Sequence, residues 1–182
     1  HQRIPALRFD TKRIILYNVT LTEFIMPFIQ NVAASDIPRG MHRDPGENAI
    51  LIQISDPCGY KPDPKHPFKA RYFFEFLDVE RDTEVDDEEM RCSPEQAAEL
   101  VEILKRALAE DTNVIVHCYA GICRSGAVTE VGVIMGFTDT EIYRQPNLLV
   151  KHLMMKELGL TYDADEKPQE DSWRGAKFGW ER

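Results

Sequence analysis

The sequence predicts an α/β fold with a central, mostly parallel sheet flanked by helices. Short apolar runs, AILIQIS at 49–55 and NVIV at 113–116, have the length and composition of buried strands. Segments with helical spacing of apolar residues alternate with such strands, and this alternation is typical of parallel sheets. At 182 residues the chain can form one domain with its own core. We therefore expect a single domain over 1–182, with a core at about 12–158 and a polar tail at 159–182.

The first part of the chain is predicted to contain two strands and one short helix. The apolar residues of KRIILYNV at 12–19 predict a buried strand. EFIMPFIQNV at 23–32 is predicted as a short helix that Pro27 interrupts, because proline lacks the N–H group that a helix needs. The prolines and glycines of 35–48 indicate a loop, and the second strand follows it at 49–55.

The middle of the chain is predicted as loop, strand, loop and helix. DPCGYKPDPKHP at 56–67 contains too much proline for a regular element, whereas ARYFFEFLDV at 70–79 is predicted as the third strand. The acidic run ERDTEVDDEE at 80–89 is predicted to be an exposed loop. A helix then begins after Ser93, whose side chain can cap it, and Gln96 completes a capping box.

The C-terminal part is predicted to be mainly helical after the strand at 113–116. GAVTEVGVIMG predicts a buried helix over 126–136 that ends at its last glycine. Asp139 is predicted to cap a short helix that Pro146 stops. NLLVKHLMMKEL has the amphipathic pattern of a final helix over 147–158.

Composition and charge restrict the class of protein. A net charge of −9 argues against proteins that coat nucleic acid or bind membrane surfaces. No apolar run approaches the roughly 18 residues of a membrane span, and the start HQRIPALRFD lacks the form of a secretory signal. We therefore expect a cytoplasmic protein whose partners are neither nucleic acid nor membrane. The sequence leaves the oligomeric state open.

The four cysteines are interpreted as free thiols of a reducing compartment. They form no C-x-x-C pair and no zinc-type grouping with histidine, so neither a metal nor another cofactor is expected. Cys58 and Cys92 are predicted to be structural or incidental. Cys123 either packs its loop or forms a reversible disulfide with Cys118 that would protect that thiol from over-oxidation.

The stretch VIVHCYAGICRSGAV at 114–128 carries the residues from which chemistry can be predicted. A buried strand leads into Cys118, a loop follows, and a helix begins close to Arg124. Loop amides and a helix start at the carboxyl end of a strand present N–H groups that bind anions. Gly121 allows the backbone to turn where a Cβ would crowd the anion. The sequence therefore predicts an anion site in residues 118–124, called the cysteine loop below.

The cysteine and the arginine of this loop predict nucleophilic chemistry. Thiols among such donors lose their proton more readily than free thiols, so Cys118 is predicted to be a thiolate nucleophile. The guanidinium fork of Arg124 suits two oxygens of a tetrahedral oxyanion, above all those of a phosphoryl group. The residues predicted to bind this group are Tyr119, Ala120, Gly121, Ile122, Cys123 and Arg124.

His117-Cys118, five further residues and then Arg124-Ser125 resemble the signature of the cysteine-dependent protein tyrosine phosphatases. The inner form Cys-x-x-Gly-x-x-Arg-Ser is similar to the dual-specificity branch, particularly its compact bacterial and phage members. The resemblance covers about residues 49–158. It implies a protein tyrosine phosphatase-like fold of the dual-specificity type.

Two further motifs and four residue roles follow from the same resemblance. ISDP at 54–57 and PNLLV at 146–150 resemble secondary motifs of the compact relatives. The resemblance implies that Cys118 is the nucleophile and that Arg124 binds the phosphate, as the residues themselves predict. It also implies that Ser125 bonds the thiolate and helps it leave the phosphoenzyme, and that His117 orients the loop from behind without touching substrate.

The general acid is the residue that the sequence identifies least well. Family members keep an aspartate on a loop after the strand that precedes the long helix, and the candidates here are Asp78, Asp82, Asp86 and Asp87. FLDV at 76–79 resembles the aromatic-x-Asp-Ile/Val pattern of the compact bacterial relatives. It favours Asp78, at a strand's carboxyl end. Asp86 and Asp87 match better the sequence distance in larger dual-specificity enzymes.

The predicted function is hydrolysis of phosphomonoesters through a cysteinyl-phosphate intermediate. The expected substrate is a phosphorylated protein or a small phosphomonoester. Phosphotyrosine is favoured, and phosphoserine or phosphothreonine would also fit if the cleft is shallow. The cysteine loop has no lysine and the chain is acidic, and both features weaken the case for phosphoinositide and RNA 5′-triphosphate substrates. The alternatives are a phosphate-binding module that recognises phosphorylated partners without turnover, and a rhodanese-like or arsenate-reducing enzyme.

Overall fold

A parallel sheet forms the centre of residues 26–80 and 90–160, the parts that the computed structural model describes. Within them, all paired strands run parallel, as the α/β prediction expects. The strands are β1 (Phe28–Ala33), β2 (Ala49–Ser55), β3 (Ala70–Glu75), β4 (Asn113–Cys118) and β5 (Thr138–Asp139). Their order across the sheet is β3-β2-β4-β1-β5, which places β4 in the middle.

Three α-helices of the described residues flank this sheet: α1 (Pro94–Ala109), α2 (Arg124–Met135) and α3 (Leu148–Glu157). A short 3₁₀ helix (Ala34–Asp36) follows β1. The predicted capping box of α1 is confirmed. Ser93 Oγ accepts a hydrogen bond from the Gln96 backbone at 3.2 Å, and Gln96 Oε1 accepts one from the Ser93 backbone at 3.0 Å. The cysteine loop connects β4 to α2, as the sequence predicts.

The core lies on both faces of the sheet. The larger cluster combines apolar side chains of all three helices with one face of the strands, which includes Ile50, Ile52 and Ile54 of β2. Leu51 belongs instead to the smaller cluster on the opposite face, where the partly buried Phe68 packs. Every residue of β2 is buried, as is typical of inner strands in parallel sheets.

The predicted helix at 23–32 is wrong. Residues 28–33 form β1, which pairs with β4 along its length and with β5 at its start. Pro27 immediately precedes this strand, where a missing N–H group costs nothing. Gln30 and Asn31 interrupt the apolar run, yet both are buried, so the segment shows no alternation from which a strand could be recognised.

The predicted short helix after Asp139 is also wrong. Thr138 and Asp139 form β5 beside β1, and residues 140–147 contain neither helix nor strand. The Asp139 carboxylate instead accepts hydrogen bonds from the Glu141 backbone and, at 2.6 and 2.9 Å, from the Arg144 guanidinium. This ion pair fixes the irregular segment that precedes α3.

One further strand is shorter than predicted, and two predicted segments lie wholly or mostly outside the described residues. The third strand ends at Glu75, four residues before the predicted boundary at 79, and the chain then leaves the sheet. The predicted strand at 12–19 lies outside the described residues, as does most of the acidic loop at 80–89. Within the described parts, no helix combines the length and apolar character needed to cross a membrane.

Candidate active site

The cysteine loop begins at the carboxyl end of the central strand. Cys118 is the last residue of β4, and its side chain is buried, with 2% of the residue exposed. Its sulfur lies 3.2 Å from the Ser125 Oγ, in the first turn of α2. The structure therefore brings together the two residues that the resemblance pairs as nucleophile and thiolate partner.

The loop presses against the backbone of β1 at Gly121. This glycine has a φ of +74°, and a Cβ built on it would lie 2.3 Å from the Val32 carbonyl carbon. Asn31 Nδ2 donates to the Gly121 carbonyl at 2.7 Å, and the Ala34 N–H donates to the Tyr119 carbonyl at 3.2 Å. The loop is thus braced from behind through its carbonyl groups.

The amides of the same loop are not used in this bracing. Within the described part of the chain, the N–H groups of residues 120–123 donate to no protein acceptor. They lie at the N-terminal end of α2, whose partial positive charge favours an anion. A loop braced through its carbonyls, with its amides available, is the arrangement that anion binding requires.

Gly121→Ala is expected to destabilise the protein more than Gly46→Ala does. Gly46 has a φ of +70° with nothing within 4 Å of an added methyl group, so alanine there carries only the backbone strain of about 1–2 kcal/mol. Alanine at Gly121 adds overpacking of roughly 1–3 kcal/mol against β1. Urea unfolding of both variants measures the difference. Equal losses in the two variants would show that the contact with β1 is unimportant.

Arg124 is buried and held by one of its terminal nitrogens. Nη1 donates to Asp56 Oδ1 and to the Phe76 carbonyl, each at 2.7 Å. Nε is buried without a hydrogen-bond partner among the described residues, and its nearest acidic oxygen is Asp78 Oδ2 at 4.0 Å. A buried guanidinium N–H without an acceptor is costly unless a ligand supplies one. The guanidinium is therefore fixed in place with a donor left over.

Asp56 is a site residue that sequence reasoning did not identify. It follows the last residue of β2, and its half-exposed side chain anchors Arg124 from the loop beyond that strand. The signal was present in the ISDP motif at 54–57, which resembles a secondary motif of the compact relatives. The motif alone does not show that its aspartate contacts the loop's arginine, because that contact joins residues 68 positions apart.

Asp78 lies beside Arg124, held by a residue of the PNLLV motif. Asn147 Nδ2 donates to Asp78 Oδ1 at 2.8 Å, while Asn147 Oδ1 accepts from the Val150 N–H at 3.0 Å and so caps α3. The Asp78 side chain is 37% exposed. The other acid candidates, Asp82, Asp86 and Asp87, lie outside the described residues.

His117 lies fully buried behind the loop. Its Nε2 is 3.0 Å from Gln53 Nε2, and its Nδ1 has no partner among the described residues. Burial is the main cause that lowers the pKa of His117 to about 4; the charges of Arg71 and Arg124 add to this, and the Cys118 backbone opposes it. The imidazole is therefore neutral near physiological pH.

Stability is expected to fall as the pH drops from 6.5 to about 4, because the unfolded chain then binds a proton that folded His117 refuses. This one group contributes a slope of about 1.4 kcal/mol per pH unit in that window. His117→Asn should remove that part of the slope in urea unfolding, whereas substitution of the exposed His152 should leave it. An unchanged slope in His117→Asn would contradict the buried neutral imidazole.

The other described cysteines differ in environment. Burial raises the pKa of the Cys123 thiol to about 11, and the neighbouring Asp78 carboxylate contributes. Burial alone raises the pKa of Cys92 to about 12, and Cys58 is exposed. Cys123 is therefore a thiol that resists ionisation. The two alternatives for it, packing of the loop and a reversible disulfide with Cys118, both stay predictions.

A cavity of about 390 Å³ adjoins the first half of the cysteine loop. Tyr119 and Ala120 of the loop line it, together with the segments that follow β1 and β2. Tyr60 and Tyr119 are exposed large aromatic residues on its wall. The cavity can accommodate an aromatic ring next to an anion bound in the loop.

Neither a protein-family model nor a curated protein sequence matches this chain. Among solved structures, the chain is similar to the human tyrosine phosphatase-like serine/threonine/tyrosine-interacting protein, with 17% identity and a TM-score of 0.51 over 74% of this chain and 93% of that one. It is also similar to human DUSP28, with 14% identity and a TM-score of 0.49 over 73% and 92% of the two chains. Together with the parallel sheet and the strand–loop–helix at Cys118, the first of these likenesses shows that the chain has the fold of the protein tyrosine phosphatases.

Proposed function

We propose that this protein hydrolyses phosphomonoesters through a cysteinyl-phosphate intermediate, with phosphotyrosine in proteins as the favoured substrate. One observation carries the proposal. The buried sulfur of Cys118 lies between the hydroxyl of Ser125 and a loop whose amides, with Arg124 Nε, are donors without acceptors among the described residues. A tetrahedral oxyanion over the sulfur supplies the acceptors that these donors lack.

In the first step, the phosphoryl oxygens bind to the loop amides and to Arg124. The Cys118 sulfur forms a bond with phosphorus while the bond from phosphorus to the leaving oxygen breaks. Asp78, in its acid form, gives its proton to that oxygen, and the alcohol or phenol departs. Asn147 and Arg124 fix the position of Asp78 for this transfer.

In the second step, water attacks the phosphorus of the cysteinyl phosphate. The Asp78 carboxylate takes the proton of the water, so that the same group serves as acid and then as base. The sulfur leaves as a thiolate, which accepts a hydrogen bond from Ser125 Oγ. Inorganic phosphate is released and the enzyme returns to its starting state.

The cavity beside the loop supports an aromatic leaving group. A phosphotyrosine ring extends away from its phosphate, and the cavity wall formed by Tyr60 and Tyr119 offers it an apolar surface beside the loop. Asp56 and Asp78 place negative charge beside the loop, and this disfavours substrates that carry several phosphates. We therefore favour a single aryl phosphate over a phosphoinositide.

A second candidate function is phosphate binding without turnover. The Asp56 carboxylate accepts a hydrogen bond from Arg124 Nη1, and the Asp78 carboxylate lies 4.0 Å from Arg124 Nε. Both carboxylates compete with a phosphoryl group for the charge of the guanidinium. The solved structure with a TM-score of 0.51 carries the name of a phosphatase-like interacting protein. Detection of the covalent intermediate separates the two functions, because a binding module forms none.

The test is to trap the cysteinyl phosphate. The protein is mixed with an aryl phosphate in the presence of a chelator, quenched in acid within the first turnovers, digested and analysed by mass spectrometry. We expect one phosphoryl group on the peptide that contains Cys118, and none when the thiol is first alkylated. Phosphate release without this adduct, or no release at all, would overturn the proposal.

Asp78→Asn is expected to lower kcat by about 10²–10⁴-fold and to remove the alkaline limb of its pH profile. The loss should be larger for substrates with poor leaving groups, because they depend more on the donated proton. Asp44→Asn is the matched control, since among the described residues its exposed carboxylate accepts only from the Gly46 backbone. A normal pH profile in Asp78→Asn would contradict this role for Asp78. The acid would then be Asp82, Asp86 or Asp87, and replacing each of these with Asn would identify it.

A further inference from the structure

A chain of side chains runs from the protein surface to the back of the nucleophile. Arg71 of β3 donates from Nε to Gln53 Oε1 at 3.0 Å. Gln53 of β2 lies 1% exposed, and its Nε2 is 2.9 Å from the Pro62 carbonyl and 3.0 Å from His117 Nε2. His117 directly precedes Cys118 on β4. Nothing in the sequence alone assigns a role to Gln53.

The chemistry of the outer partners fixes the direction of these hydrogen bonds. The Arg71 guanidinium can only donate, so the Gln53 atom that it contacts must be the carbonyl oxygen. The Pro62 carbonyl can only accept, so the atom that it contacts must be the amide nitrogen. Both ends of the carboxamide are therefore assigned by groups that have a single role.

This assignment determines the tautomer of His117. The second N–H of the Gln53 amide faces His117 Nε2, which must therefore accept with its lone pair. A neutral imidazole with an accepting Nε2 carries its proton on Nδ1. Nδ1 makes no hydrogen bond of ordinary geometry among the described residues, but the Cys118 backbone favours a proton on the ring. The Arg71 and Arg124 guanidinium groups disfavour a second proton.

We propose that Gln53 is a positioning residue that holds His117 as the neutral Nδ1–H tautomer and thereby keeps Cys118 in its reactive geometry. The catalytic part of this inference rests on the proposed function. With the other tautomer, two N–H donors would oppose each other at 3.0 Å, and the ring could relieve this only by displacing the strand end that carries Cys118. A fixed imidazole therefore fixes the start of the cysteine loop.

The variant that tests this is Gln53→Glu, which keeps the size of the side chain but replaces the donor with an acceptor. A carboxylate next to Nε2 accepts from it, so the proton should move to Nε2 or the ring should take up a second proton. Arg71 can still donate to the carboxylate. Gln30→Glu is the matched control, because Gln30 is a buried glutamine of β1 whose side-chain oxygen accepts from the Arg43 backbone.

The first readout is the ¹⁵N spectrum of the histidine rings of the full chain, recorded from about pH 5 to pH 8. We expect a neutral His117 protonated on Nδ1 in the wild type and in Gln30→Glu, and protonated on Nε2 or on both nitrogens in Gln53→Glu. The charged groups that act on the ring are Arg71 and Arg124, and the Cys118 backbone also enters its titration. A wild-type ring protonated on Nε2 overturns the inference without any variant.

The second readout is the reactivity of the nucleophile. Gln53→Glu should lower kcat for an aryl phosphate and the alkylation rate of Cys118 by about 10–100-fold, the range seen when a metal-binding imidazole loses its hydrogen-bond partner. Alkylation does not require phosphatase activity, so an inactive wild type overturns the proposed function and leaves this inference testable. A switched tautomer with unchanged alkylation would overturn the positioning role of Gln53.

Discussion

Cys118→Ser is expected to lower the turnover of an aryl phosphate by about 10⁴-fold or more. The serine hydroxyl occupies nearly the same space beside Ser125 but is not ionised at neutral pH, so no nucleophile faces the phosphorus. The loop amides and Arg124 are unchanged in this variant. Binding of a phosphotyrosine peptide should therefore persist, and calorimetry beside a steady-state assay measures both properties.

Cys58→Ser is the control for this prediction, because Cys58 is an exposed thiol in the loop after β2. It should hydrolyse the substrate at the wild-type rate. Activity retained in Cys118→Ser would end the cysteinyl-phosphate mechanism. A wild type that binds the phosphopeptide as Cys118→Ser does, but turns over no substrate, would instead establish the phosphate-binding module.

Arg124→Lys is expected to lower kcat/KM by about 10²–10³-fold, although the charge is kept. Lysine has a single nitrogen, so it cannot hold the Asp56 carboxylate and the Phe76 carbonyl from one nitrogen while a second nitrogen donates to a phosphoryl oxygen. We expect kcat to fall and the inhibition constant of inorganic phosphate to rise, because the guanidinium fork binds the anion throughout the reaction.

The control for the arginine is Arg39→Lys, since Arg39 forms an exposed ion pair with Asp36 at 2.9 Å. Such surface pairs contribute little, and both stability and activity should stay close to the wild type. Thermal unfolding of Arg124→Lys shows whether the protein remains folded. Wild-type kinetics in a folded Arg124→Lys would mean that Arg124 does not bind the phosphoryl group.

The sequence allowed the fold class and the centre of the site to be predicted because their determinants are local. A buried strand, a cysteine, a glycine and a helix start within 15 residues are enough to predict the loop between β4 and α2. The capping box at Ser93 is equally local, since its two hydrogen bonds join residues three positions apart. These predictions needed no knowledge of which strands are neighbours.

The remaining site residues depend on neighbours in the sheet. Asn31 contacts Gly121 across 90 positions, and Gln53 contacts His117 across 64. In the sequence, each is only a polar residue within an apolar run, which also occurs at exposed strand positions. In β1, the polar residues Gln30 and Asn31 interrupt the apolar pattern, and for this reason the strand itself was not predicted. A polar side chain inside an otherwise apolar strand was the available signal.

The place of β4 in the sheet has a consequence for how activity arises during folding. β4 enters between β1 and β2, which both precede it in the chain, and its contacts with them span large sequence separations. Closing such long loops is slow, so this insertion is a late event in parallel sheets. Recovery of the proposed phosphatase activity on refolding should therefore track sheet closure, whereas α1 can form earlier and without it.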